Sequence, residues 1–392
     1  MANSLANLNP EVWSRRMQLN RERMPVYKAI VSMEEQSNLS TGDVVHRTFG
    51  SKLLVSTYTK GTDVTDDDIT ITDESLTVDQ TPIISFYVDE IDKLQNSIDA
   101  QMEYADRASD RLERYIDAQV LGEVANADHT VNNVDFGGTG AVTASTSNLV
   151  KIFALAGKKL TRAEIGNEGR YAVLSPSIFQ LLEERTEGRD TAAGDDVMKN
   201  GFTGRSFLGF EIFVSNNLYY TASWTPADNP SADDTVTIAG VVLTFKASPA
   251  AAGEVDIGGS TAVTIDNMVT LLNDPGTTTA TGIALSAADQ RTLMGLTAVD
   301  GTTTLDLQWE GGGEAAVSAS ETADTWGSEI VHQLFGQKGA IDMVMQKAPN
   351  VTFKDPEKRL GVRVLTWALY GLKTFDEGDA ALVDVQIDGS SL

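Results

Sequence analysis

Eight apolar residues, Ile91, Leu94, Ile98, Met102, Ala105, Leu112, Ile116 and Val120, fall mostly three, four or seven apart, the spacing of one stripe on an α-helix. Asp89 stands where it caps such a helix, Asp92 favours its positive end, and Gly122 supplies a stop. The pattern predicts a helix over residues 90–121, roughly 48 Å long at about 1.5 Å per residue. A single apolar stripe of that length needs an equally long partner, either another helix or a sheet. Heptad spacing fails around Ser109, which favours the sheet over a coiled coil. Residues 362–370 are apolar on both alternating faces, so they predict a strand covered on both sides, with the long helix as one cover. Early and late sequence then build one domain.

What precedes the helix has no core of its own. Residues 1–60 hold five acids and eight Lys+Arg, with Arg15, Arg16, Arg21, Arg23 and Lys28 beside Trp13, Met17 and Met24. The whole chain has the opposite sign, 56 acids against 30 Lys+Arg for a net charge of -26. Such a surface repels phosphates, which disfavours a nucleic-acid reader and favours a basic arm that docks on the acidic surface of a neighbouring copy. Val44, Val45, Phe49, Leu53, Leu54 and Val55 suggest a strand. Residues 61–79 follow with seven acids and no Lys or Arg, in an Ile69-Thr70-Ile71-Thr72 alternation. The segment is too poor in large apolar residues to bury itself, and reads as a long hairpin leaning on something outside its own domain.

After the long helix, residues 149–214 alternate helix and strand as a compact α/β layer does: a helix around Leu149–Leu160, a strand at 171–174, a helix at 178–184 and a strand at 207–214. Residues 222–328 differ in composition, with fourteen acids, two bases (Lys246, Arg291) and much Thr, Ala and Gly. They hold a hairpin signal at Ala239-Gly240, a short helix at 265–272 and a strand at 302–309. They read as a small β-rich domain inserted in a host, folding as a unit on the outer surface and dispensable to it. The class is α+β.

The search for chemistry assigns no catalytic, cofactor-binding or metal-ligating residue, and the chain reads as a non-enzyme. There is no cysteine, which excludes disulfides, thiolate nucleophiles and cysteine-ligated metals, and the only histidines are His46, His129 and His332. Ala156-Gly157-Lys158-Lys159 lacks the rest of a phosphate-binding loop, and Gly137-Gly138-Thr139-Gly140 opens no strand–turn–helix. Asp66-Asp67-Asp68 lacks the alternating ligands, glycine and glutamate of a calcium loop, and Asp233-Asp234 reads as a solubilising surface pair. Trp367 reads as core and Trp13 as a contact with another chain. A hydrolase with an unmotifed serine and a remote histidine stays as a disfavoured alternative. Residues 1–10 lack an apolar signal region, and no run of 18 apolar residues crosses a membrane.

The order of elements, basic arm, acidic hairpin, long helix, α/β layer and late β segment, resembles the major capsid proteins of tailed bacteriophages, the HK97-like fold family. Residues 201–216 (GFTGRSFLGFEIFVSN) are similar to the family's Gly-rich lead-in to a Gly-Phe strand ending in Ser-Asn. Residues 171–176 (YAVLSP) resemble its preceding strand-to-helix step, and 337–341 (QKGAI) with Tyr370-Gly371 resemble its closing strands. The resemblance implies an N-terminal arm over 1–41, an extended E-loop over 42–82 and a P-domain with the spine helix over 83–125. It further implies an A-domain over 126–221, the inserted β-rich domain over 222–328, and a return to the P-domain over 329–392.

In function it implies a self-assembling shell of hexamers and pentamers around double-stranded DNA, with a portal and scaffolding or decoration proteins as partners and no membrane. Assembly would take place in the host cytoplasm and the product would be the virion capsid. Some relatives join a hairpin lysine to an asparagine. Lys52 and Lys60 are the only lysines from 42 to 82 and no catalytic carboxylate is identifiable, so no such bond is expected. An encapsulin-like protein cage and a modular surface or adhesion protein are the alternatives.

Overall fold

The computed structural model describes residues 25–37, 42–50, 53–64, 66–91, 100–187, 206–320, 324–355 and 359–392. A short helix α1 (Tyr27–Ile30) precedes a two-stranded antiparallel ribbon, β1 (Val44–Gly50) with β2 (Ile71–Thr77), in which Val44 faces Thr77 and Gly50 faces Ile71. Strand β3 (Ile83–Asp89) leads to the long helix, described as α2 (Ala100–Gly122). Asp89 does cap the turn that opens the helical segment, its Oδ1 taking the Ile91 N–H at 2.9 Å. Leu94 and Ile98 lie outside the described residues, as does the side chain of Met102.

The middle of the chain supplies β4 (His129–Val131), α3 (Leu149–Arg162), β5 (Arg170–Leu174), α4 (Pro176–Glu187), β6 (Ser206–Phe207), β7 (Phe210–Val214) and β8 (Tyr219–Thr225). The strand expected over 207–214 is two strands, because Leu208 and Gly209 take positive φ (49° and 86°) and turn the chain into a tight hairpin. Next come β9 (Thr235–Ile238), β10 (Val241–Lys246), β11 (Glu254–Asp256), α5 (Thr261–Asn273), α6 (Ala287–Thr292), β12 (Leu296–Asp300), β13 (Leu305–Trp309) and β14 (Val317–Ala319). Ala239 and Gly240 form the expected β9–β10 turn, both at positive φ. The chain closes with β15 (Thr325–Gln337), β16 (Ile341–Lys354), β17 (Gly361–Thr374), α7 (Asp376–Asp379) and β18 (Leu382–Asp388).

Two sheets organise these elements. The long hairpin β16–β17 adds β3 at its far edge, in the order β16-β17-β3, and α2 packs across it. Leu112, Ile116 and Val120 are buried on that side with Ala368 and Tyr370, so the spine-and-sheet expectation holds where the residues are described. Burying three such aliphatic side chains contributes about 1.5–3 kcal/mol each. The strand is less enclosed than its sequence suggests. Val364, Thr366, Ala368 and Tyr370 are buried, but Leu365, Trp367 and Leu369 on the alternate face are half-buried. Trp367, expected in the core, instead lies under the Lys347 ammonium, 4.2 Å from its ring centroid.

The second sheet runs β12-β13-β8-β15-β5-β7-β6, with β18 and β4 attached through β15. Period-two alternation splits its side chains into two cores. Ala172, Leu174, Phe335 and Val385 face α3 and α4, while Tyr171, Val173, Tyr220 and Leu334 face the core that continues to α2. In 329–392, β15 and β18 belong to this second sheet, and only β16–β17 return to the spine helix.

Residues 222–328 do contain a small four-stranded sheet, β11-β10-β9-β14, but they do not stand apart. Their β12 and β13 extend the second sheet through β8, with Trp309 opposite Tyr220 and Leu305 opposite Trp224. Trp224 stacks on Phe245 at 5.9 Å, so the two sheets share one core. Acid-rich composition describes the exposed faces of this segment and misses the buried alternate residues that tie it to its host.

Candidate assembly surfaces

The β1–β2 ribbon is fixed at its base and open at its tip. Leu76 and Val78 bury against Val344 and Phe375. Gly371 is needed there, since a Cβ would sit 2.4 Å from the Thr77 carbonyl oxygen. Arg47 projects from β1 and donates to Asp342 Oδ2 at 2.8 Å and to Glu35 Oε1 at 3.1 Å, with its guanidinium 4.4 Å from the Phe375 ring centroid. Burial pushes the Asp342 pKa up and Arg47 draws it part of the way back. Across the strand, Glu74 accepts the Asp376 N–H at 3.3 Å and lies 3.8 Å from Lys373. The ribbon's direction is thus set by its own subunit.

Beyond Gly50 that support stops. Leu53, Leu54 and Val55, expected to extend the strand, are irregular and exposed, Val55 to 94%. Tyr58, Val64 and Ile69 are exposed as well, beside the equally exposed Asp66, Asp67 and Asp68. Within the loop, Asp67 accepts the Leu54 N–H at 2.6 Å. Six large apolar side chains, Leu53, Leu54, Val55, Tyr58, Val64 and Ile69, thus face water in one loop with no local burial to offset their ordering entropy.

The end of the arm is latched to the spine helix. Asp117 is fully buried in α2. Its Oδ1 accepts the N–H groups of Val26 (2.7 Å) and Tyr27 (2.9 Å), and its Oδ2 accepts Asn217 Nδ2 at 2.7 Å. Burial pushes its pKa up and these donors pull it back. Tyr27 and Ile30 bury fully beside it, and Lys28 pairs with Glu113 at 3.0 Å. Two cations of the basic segment, Lys28 and Arg47, are therefore engaged with carboxylates of their own subunit. Arg15, Arg16, Arg21, Arg23 and Trp13 lie outside the described residues.

The chemical candidates disperse. Residues 137–140 close a turn on themselves, Gly137 N–H to Val134 O at 3.1 Å and Gly138 N–H to Asn133 O at 2.9 Å, leaving those amides committed. Gly157 and Lys158 lie inside α3, where Lys159 pairs with Asp135 at 2.7 Å; Asp233 pairs with Lys246. Lys60 is exposed, and Lys52 lies outside the described residues. Among the described residues no three His, Asp or Glu side chains are grouped as metal ligands. Among the described residues no helix is long and apolar enough to cross a membrane.

One constellation escaped sequence reasoning. His332 Nδ1 lies 2.9 Å from Asp384 Oδ1, and its Nε2 hydrogen-bonds the Thr221 hydroxyl at 2.9 Å. His332 and Asp384 are each more than nine-tenths buried, on adjacent strands β15 and β18, with Thr221 on β8. The three side chains staple three neighbouring strands. No motif reveals them, because the register that brings them together is a property of the sheet.

A carboxylate cluster lies where ribbon, spine helix and second sheet meet. Asp379 is raised to about 6, first by burial and then by Asp128, Asp376, Glu123 and Glu74.

The sequence profile of a family described as phage capsid protein matches residues 51–254, just over half of the 392 residues. No curated protein matches. Among solved structures, one from Mycobacterium phage Che8 is similar over 99% of both chains, with a TM-score of 0.62 at 17% identity. The capsid structure of the cyanophage P-SCSP1u is similar over 98% of this chain and 94% of that one, with a TM-score of 0.54 at 11% identity. One from Mycobacterium phage Ogopogo has a TM-score of 0.52 at 10% identity, over 99% and 100% of the two chains.

Proposed function

The chain belongs to the phage capsid protein family, and from that premise we propose how it builds a shell. It is a structural protein of the phage capsid with an HK97-like fold. In the proposed arrangement, subunits gather as hexamers and pentamers on an icosahedral lattice. The closed shell holds double-stranded DNA that enters through a portal, with assembly in the host cytoplasm on scaffolding and later contacts to decoration proteins. Residues 1–41 act as the arm and 42–82 as the E-loop. The spine helix with β3, β16 and β17 forms the P-domain. The second sheet and its helices form the A-domain, which 222–328 elaborates. The chain carries out no catalysis.

The observation that carries this reading is the exposed loop 53–70 on a ribbon clamped at its base. A monomer gains nothing from ordering Leu53, Leu54, Val55, Val64 and Ile69 in water. In a ring of identical subunits each loop covers its neighbour, and modest contacts multiply through symmetry. A net charge of -26 suits a container wall that confined DNA does not adhere to. Negative-stain microscopy of the purified protein tests the reading. Closed particles are expected from the intact chain, and folded subunits without particles from a chain with 54–69 replaced by a Gly/Ser turn. Normal particles from that variant would refute it.

A further inference from the structure

Arginines from distant parts of the chain meet at an open cleft. Arg111 comes from the spine helix α2 and Arg291 from the end of α6, and their side chains line an open cleft of about 460 Å³ with Arg114, Met294, Trp309 and Glu314. Arg111 Nη2 donates to the Arg291 carbonyl at 3.0 Å and touches Met294 Sδ at 3.9 Å. Arg114 donates through Nε to Asn217 Oδ1 at 3.2 Å. Glu314 is the one carboxylate in the lining, and its Oε1 accepts the N–H of Ser177 at the start of α4. Trp309 is buried at the floor and its indole N–H is spent on the Met294 carbonyl at 3.0 Å, while Met294 is partly exposed. Arg111 and Arg291, with Arg114, Met294 and Trp309 beside them, on a chain with a net charge of -26, make a site for an acidic peptide segment.

Among the described residues the loop tip is an exposed segment of that chemistry. The loop tip sets Asp63, Asp66, Asp67 and Asp68 between exposed Val64 and Ile69. Lys28 and Arg47, described cations of the basic segment expected to receive it, pair instead with Glu113 and with Asp342 and Glu35 of their own subunit. We propose that the acidic tip 63–69 of one copy docks in the Arg111/Arg114/Arg291 cleft of a second copy, with carboxylates on the guanidiniums and Val64 or Ile69 toward Trp309. The proposal rests on the reading that the loop docks on a neighbour, and adds the address. It also assigns a use to residues 222–328, since Arg291 and Trp309 come from that segment.

The chain's lack of cysteine makes the test direct. Asp66→Cys carries a benzophenone maleimide into assembled particles, and the photoadduct is mapped by mass spectrometry. The expected result is an intermolecular adduct on residues 291–316 or 111–118. An intermolecular adduct elsewhere overturns the cleft and leaves neighbour docking standing; absence of any intermolecular adduct overturns both. Charge reversal gives a second arm, read as particle yield. Arg111→Glu with Arg291→Glu, and separately Asp66→Lys with Asp68→Lys, should each lower the yield about tenfold or more, and the four together should recover most of it. Circular dichroism and the elution volume of unassembled subunits check that each variant is folded. Folded single-side variants that assemble normally, or a fourfold variant no better than its parents, would overturn the proposal.

Discussion

Replacing Asp117 tests how the arm is held. The carboxylate receives hydrogen bonds from the N–H groups of Val26 and Tyr27, the Asn217 amide and the Ser215 side chain, so its worth lies in the donors it satisfies. Asp117→Ala strands the N–H groups of Val26 and Tyr27 and the amide of Asn217. At roughly 1–3 kcal/mol per stranded buried donor, offset by relief from burying a charge and by water entering beside half-buried Val26, the loss should be about 3–5 kcal/mol. Asp117→Asn is the sharper variant because it keeps the shape. One of its two terminal atoms becomes a donor and meets either the arm amides or Asn217 Nδ2. Asn217 has no free rotation to accommodate it, since its Oδ1 already accepts from Arg114. The expected cost is about 1–3 kcal/mol, the same order as one buried mismatch.

Urea unfolding of unassembled subunits measures the loss, and hydrogen exchange at Val26 and Tyr27 shows whether the arm releases first. A double-mutant cycle with Asn217→Ala should return a coupling of about 1.5–3 kcal/mol, as expected for a hydrogen bond to a charged acceptor. If Asp117→Asn unfolds within about 0.5 kcal/mol of the parent and both amides remain equally protected, the donors are satisfied elsewhere and the latch is wrong.

Arg47→Ala leaves Asp342 buried beside no cation. It should cost about 1–3 kcal/mol in thermal or urea unfolding and speed proteolysis of the ribbon, with Arg47→Lys rescuing only part because one ammonium cannot reach both carboxylates. Asp379, raised to about 6, binds protons more tightly in the folded chain than in the unfolded one, where the usual value is 3.8. Its contribution is fully present below the unfolded value and lost as pH rises through about 6. The melting temperature should therefore fall from pH 4.5 to 7.5 more steeply than in Asp379→Asn; parallel profiles would contradict this. Joining residues 221 and 329 through a Gly/Ser linker should give insoluble subunits, because it removes β12, β13 and the end of β8 and bares Tyr220. Soluble assembling subunits would restore the independent insertion that composition suggested.

Periodicity carried much of the architecture. The α2 stripe, its Asp89 cap, the α3 face and the Ala239-Gly240 turn were all legible, because each is a local pattern of residues a few positions apart. The relation of 222–328 to its host was not. Acid counts weight the exposed positions, while Trp224, Phe245, Leu305 and Trp309, which fuse the segment to the second sheet, are few and far apart in sequence. The Arg47 clamp and the Asp117 latch were hidden for the same reason, since their partners lie 295 and 90 residues away along the chain. The tip was legible as chemistry without an address: its lack of apolar self-support is local, whereas its receptor needs three arginines brought together by the fold.

The pairing of β3 with β17 also orders events during synthesis. Strand β3 and the spine helix leave the ribosome early, yet the hairpin they pack on is encoded near the end of the chain. Most of the second sheet lies between them and can collapse first, while the early elements wait with an uncovered apolar stripe. The clamp that aims the ribbon also needs Asp342, so a nascent chain holds its loop without direction until nearly all of it has been made. Completion of translation therefore acts as a timer on association. Only a finished subunit has both a directed loop and a covered helix, and truncated chains should be left out of growing particles instead of poisoning them.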